Sequence, residues 1–99
     1  MESRYDSGVH ELRRAVIEGA GQLDREIRQA AFSGAAVPPE STAYVEKIRR
    51  HAYKVTDGDV EALLAVGWSE DQVFELTVAT ALGEGYRRIE AGLREVEAT

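Results

Sequence analysis

The stretch from Ser69 to Leu82 constrains this chain more than any other. It opens Ser-Glu-Asp-Gln, a capping box in which a serine and a glutamine three residues later satisfy each other's free backbone amides, and so it marks a helix start. Between Val73 and Leu82 the only charged residue is Glu75. A helix that is apolar almost all round is buried on more than one side, so this segment is expected at the centre of the fold. The pattern carries the helix on to about Val96. Its stripe narrows to Gly85, Ile89, Gly92, Leu93 and Val96, with Arg87, Arg88, Glu90, Arg94 and Glu95 opposite. Gly83 and Gly85 each cost about 1 kcal/mol against alanine inside a helix. One continuous helix is the expectation, and a kink at these glycines is the alternative. Ala81 and Gly85, four apart on the stripe, lack bulk and would let another helix approach closely.

Every other ordered-looking segment also has helical spacing, and none alternates with the period of a half-buried strand. The expected class is all-α, a small bundle of about five helices. Val9, Leu12, Arg13 and Val16 give a first helix a narrow stripe, broken at Gly19-Ala20-Gly21. Leu23, Ile27, Ala30 and Ala31 repeat it, and Ser33-Gly34 closes the second helix. The prolines of Ala35-Ala36-Val37-Pro38-Pro39 lack amide donors and push their predecessors toward extended backbone, which makes this the main linker. Ser41 or Thr42 caps a third helix with the face Tyr44, Val45, Ile48, His51, Ala52 and Val55. Thr56 begins a fourth, with Asp57 and Asp59 at its positive end, Val60, Leu63, Leu64 and Val66 along it, and Gly67 for a left-handed ending. The chain is thus read as a single domain over 1–99: a helical pair at 1–34, a linker at 35–40 and a core at 41–99.

Ninety-nine residues bury only about 60–65% of the surface of the unfolded chain, so a core of this size is marginal alone and gains from partners. Twelve Lys and Arg against eighteen Asp and Glu leave a formal charge of −6, which repels nucleic-acid backbones and anionic lipid. A hydrophobic fraction of 43% with 30% charged residues fits neither a disordered chain nor a membrane span. The opening MESRYDSG has neither a basic start nor an apolar run, so no secretory signal is read and the cytoplasm is the expected compartment. There is no cysteine, hence no disulfide and no thiolate chemistry.

From Tyr44 to Leu93 the chain reads YVEKIRRHAYKVTDGDVEALLAVGWSEDQVFELTVATALGEGYRRIEAGL. This resembles the helical core of the alkylhydroperoxidase D-like and carboxymuconolactone decarboxylase family. The run from Gly67 is similar to the family's G-x-S-x-x-x-I entry into a long helix, and HAYKVTDGDVEALLAVG places a short helix just ahead of it. The resemblance implies a small helical bundle that assembles into dimers, trimers or hexamers. In the peroxidase branch a C-x-x-C-x-x-x-H run lies on the preceding helix. Counting back from Gly67 puts Ala52 and Val55 at the cysteine positions and Asp59 at the histidine position. A cysteine-free member cannot cycle a disulfide. The decarboxylase branch needs stabilised negative charge and a proton donor instead. The resemblance therefore implies a non-peroxidatic homo-oligomer, possessing at most a small-ligand site, and the all-round apolar run Val73–Leu82, in a chain too small to cover it, puts the last helix at the interface. The alternative is a carboxymuconolactone-decarboxylase-like acid/base enzyme using His51 and Glu84.

Those two residues are the candidate catalytic pair, each with a plainer account. His51, on the apolar face of the third helix, is either a general acid or base at a pocket edge or a partly buried histidine bonded to a carbonyl or carboxylate. Glu84 either faces His51 across a small cavity or forms an exposed ion pair with Arg88 one turn on. No metal site is expected: His10-Glu11 begins H-E-x-x-H, but the fifth place is Arg14. Asp57-Gly58-Asp59 departs from a calcium loop, with Ala62 and Trp68 at its glycine and bidentate-acid positions. The Gly19/Gly21 and Gly83/Gly85 pairs are too short for nucleotide fingerprints, so no cofactor is expected. Trp68 reads as a hydrophobic staple near Gln72 or Val73. Lys47, Arg49, Arg50 and Lys54 read as a solvated basic face.

Overall fold

A computed structural model of the chain describes the backbone of residues 4–98; Met1–Ser3 of the opening segment, Thr99 and the side chains of residues 4–7, 9 and 98 lie outside what it describes. Five α-helices follow one another, and no strand occurs among the described residues. None of these helices is long and apolar enough to cross a membrane. α1 (Arg4–Arg13) widens into a π-helical turn at Arg14–Glu18 and stops at Gly19. α2 (Arg25–Ser33) ends on Gly34 at φ +85°, the left-handed position that glycine reaches without a Cβ clash. A 3-10 turn at Pro39–Ser41 delivers the chain to α3 (Thr42–His51). There the buried Ser41 hydroxyl donates to the Pro38 carbonyl at 2.8 Å. α4 (Asp57–Ala65) opens with a reciprocal cap between Thr56 and Asp59, and Gly67 follows it at φ +104°.

α5 (Glu70–Ala98) begins at the expected capping box. The Ser69 amide donates to Gln72 Oε1 at 2.9 Å, and the Gln72 amide to Ser69 Oγ at 3.1 Å. It runs unbroken through Gly83 and Gly85. Its inner side, Val73, Leu76 and Ala79, meets Ile17 and Leu23, Ala31 and Phe32 of α2, Tyr44, Val45 and Ile48 of α3, and Leu63 of α4. Residues from before and after the proline linker thus share one core. Buried Thr80 satisfies its hydroxyl on the Leu76 carbonyl of its own helix at 2.7 Å.

Gly83, and not the expected Ala81 and Gly85, is where a second helix of the chain comes close. A Cβ on Gly83 would overlap the Phe32 carbonyl, whereas one on Gly85 meets nothing within 4 Å. The propensity cost of the glycine is therefore offset by the contact of α2 with α5, and no kink forms. Arg87 donates to the same Phe32 carbonyl, which α2 leaves free at its end.

The turn between α1 and α2 is held by two opposite charges. Glu75 accepts from the Gln22 amide at 3.0 Å and from the Leu23 amide at 2.7 Å. Buried Arg28 donates to the carbonyls of Leu23, Val16 and Gly19 at 3.1, 3.0 and 2.7 Å. Each charge is matched by several peptide dipoles, which is what makes its burial tolerable. Gly21 is small because a Cβ there would overlap the Glu75 carboxylate.

Candidate functional site

At about 100° per residue, Phe74, Val78, Ala81, Gly85, Ile89, Gly92 and Val96 fall within a sector of α5 about 80° wide. Leu76, Ala79 and Gly83 lie on the opposite side. That inner side is buried, while the outward sector is open: Phe74 is 68% exposed, Ile89 44% and Val96 72%, with Leu93 beside them at 49%. The all-round apolar run from Val73 to Leu82 is thus covered on one broad side by its own chain. The other side is left bare, against the expectation of burial on more than one side.

Two depressions flank the first half of this face, up to Arg88; from Ala91 to Glu97 every residue is exposed and α5 stands clear of the other helices. On one side a cavity of about 170 Å³ lies between Phe74 and Val78 of α5 and Ala15, Val16 and Ala20 at the end of the first helix. On the other, a cavity of about 340 Å³ is lined by Ile48, Ala52, Tyr53, Ala81 and Gly85, with Arg50 and Arg88 at its rim. Tyr53 is 80% exposed at the top of that wall. The walls exist because α1 widens into its π turn on one flank, and because α3 unwinds at His51 into the 3-10 turn Ala52–Lys54 on the other.

That unwinding decides where His51 lies. At φ −145° and ψ 59° its backbone leaves the helix, so the ring is exposed instead of lying on the apolar face, and it meets Tyr53 edge-on with centroids 5.9 Å apart. Ala52 turns outward with it. Glu84 is half-buried at the lip of the larger cavity, and its ion pair is with Arg87, not Arg88. Arg88 instead donates to the Arg49 carbonyl at 3.4 Å. Glu84 thus lines a cavity whose walls do not include His51.

The expected solvated basic face is mostly engaged within the chain. The Arg49 guanidinium is largely covered and donates to the Ala31 and Ala35 carbonyls at 3.3 and 3.4 Å, finishing α2 from a second side. Arg50 pairs with Glu46 at 3.2 Å, and Lys54 lies over the Tyr53 ring. Lys47 binds Asp59 at 2.8 Å, tying α3 to the start of α4. The Lys47 ammonium, with the Thr56 amide behind it, holds the Asp59 carboxyl below its ordinary range. Trp68 packs on the core beside Gln72 and gives its indole N–H to Glu40 at 3.3 Å.

Among the described residues, the outward side of α5 is an extended apolar feature that the chain does not itself cover. No family model, curated protein or solved structure matches the chain. Sequence reasoning found most of the face, in the stripe Gly85, Ile89, Gly92, Leu93 and Val96 with Ala81 one turn before it, and missed that the face continues to Phe74. The 3.6-residue periodicity held that signal, but the apolar residues around it in the upper half concealed which side was outward.

Proposed function

We propose that this chain is a non-peroxidatic, cysteine-free, alkylhydroperoxidase D-like helical domain whose role is self-assembly, with α5 as the interface. The observation that carries the reading is the bare apolar sector from Phe74 to Val96, on a chain whose own core is marginal for its length. Short domains gain stability by covering such a face with a second subunit, and symmetric homo-oligomers are the commonest way to do so. A small organic ligand fits beside Ala81 and Gly85, where a partner would close the larger cavity over it. Cytoplasmic residence belongs to the same proposal.

The acid/base alternative has less support. It needs His51 and Glu84 to converge on one dry site, whereas His51 is exposed and Glu84 is neutralised by Arg87. Light scattering is expected to give at least twice the 10.9 kDa chain mass. Ala81→Glu is expected to give the chain mass with unchanged helical circular dichroism, because it places a carboxylate in the interface and nothing in the core. A wild-type monomer up to about millimolar concentration, far above the Kd of any stable pair, would sink the proposal.

A further inference from the structure

The outward face of α5 has a symmetry along its length that fixes how a second copy lies on it. Phe74 and Val96, Val78 and Gly92, and Ala81 and Ile89 are placed at equal distances before and after Gly85. We infer that two α5 helices pair antiparallel and cross at Gly85, an inference that rests on the assembly reading above. In that register Val78 of one chain meets Gly92 of the other, and Ala81 meets Ile89. At both the large side chain sits on the small one. The two Gly85 residues meet at the crossing, where the side of α5 is open: a Cβ there touches nothing within 4 Å. Phe74 and Val96, the most exposed residues of the face, close the two ends, where crossing helices diverge and leave room for bulk.

A parallel pair in register would do the reverse. Val78 and Ile89 would each meet their own copy, while Ala81 and Gly92 would meet theirs across empty space; Gly85 meets Gly85, and the ends are bulky, in either orientation. Bulk against bulk overpacks, and small against small leaves voids. Reversal matches the face to itself, which is what a two-fold interface requires.

A second copy as the occupant draws on the walls as well as on the face. From Phe74 to Val96 the face is roughly 33 Å long, and a sector of about 80° on a helix about 12 Å across is roughly 8 Å wide, so the face covers roughly 280 Å² per chain. A stable interface takes about 800 Å² per partner. The two walls add to this, Tyr53 on one flank and Ala15 and Ala20 on the other, where a partner helix lying on the face meets both. No acid lies in the sector between Phe74 and Val96, and Glu75 and Glu84 are confined to the flanking cavities, where Arg28 and Arg50 with Arg88 also lie. The net charge of −6 makes an anionic lipid surface the poorer occupant.

The chain has no cysteine, so one introduced thiol takes a single spin label. Glu70→Cys and Glu97→Cys, exposed positions near the ends of α5, leave the face untouched. Antiparallel crossing at Gly85 sets the inter-chain distances at about 45 Å for the first label and about 36 Å for the second, from 1.5 Å per residue. Electron–electron dipolar spectroscopy of the labelled full chain reads both. If both distances fall below about 20 Å, the pair is parallel; the inference is overturned and the assembly reading stands. A dimer whose two distances fit neither geometry uses another surface and overturns both. Absence of dipolar coupling together with a monomer mass also overturns both.

Discussion

Two glycines two residues apart on α5 have opposite roles. Gly83 is buried against the Phe32 carbonyl, and Gly85 faces open space. Gly83→Ala gains about 1 kcal/mol of helix propensity but forces α2 and α5 apart, and overpacking of this kind costs about 1–3 kcal/mol or more. A net loss is expected because the opposing atom belongs to the backbone and cannot rotate away. Gly85→Ala is expected to raise stability by up to about 1 kcal/mol, since only the propensity term acts. Urea midpoints of both variants, measured in the Ala81→Glu background where association does not contribute, give the two signs. Equal shifts would show that the contact at Gly83 is not as close as described. Local sequence did not separate these glycines, because both sit in the same Leu-Gly-Glu-Gly-Tyr run, and the difference lies in what α2 places above one of them. The same holds for Arg49 and Glu75: their charge was plain, but the carbonyls and amides they serve come from segments 14 to 53 residues away.

At the scale of the elements, boundaries were the legible part. Ser69-Glu70-Asp71-Gln72, Thr56 with Asp59, Gly34 and Gly67 carry their instructions in their own side chains or in their lack of one, and each start or stop lies where such chemistry puts it. The end of α3 was not legible. Nothing between Arg50 and Val55 forbids a helix, yet the chain unwinds at His51, and this moved the one candidate histidine out of the core. The cap of α4 also predicts a pH response. Asp59 has its carboxyl held below its ordinary value by Lys47 and then by the Thr56 amide. A carboxyl whose proton affinity is lower in the folded state contributes stability above its unfolded pKa of about 3.9, and loses it as pH falls through the lower folded value. Asp59→Asn is therefore expected to be less stable than the wild type at neutral pH, with the gap closing below about pH 4. Thermal unfolding followed across pH 3–7 tests this. A gap that stayed constant would mean that Asp59 acts through hydrogen-bond geometry alone.

For the whole molecule, the decisive quantity is how much of its stability depends on a second copy. The single core draws on every helix from α2 to α5 and on Ile17, but α5 leaves a strip roughly 33 Å long outside it. If that strip is covered only in the assembly, the free energy of burying it depends on protein concentration, whereas the inner core contributes equally at any dilution. Mass action then makes the wild-type melting temperature rise with concentration. A hundredfold increase is worth about 2.7 kcal/mol. At about 2–4 °C per kcal/mol for a folding unit of two chains, this is roughly 5–10 °C. Ala81→Glu is expected to abolish the dependence, and to melt at one temperature at every concentration, below that of the wild type at its highest. Differential scanning calorimetry from about 5 to 500 μM separates the cases over the range in which a micromolar pair dissociates. A wild-type transition that does not move while light scattering reports a dimer would place the interface outside the folding unit. The bare face of α5 would then be a surface on which two complete domains meet, with no part in holding either one together.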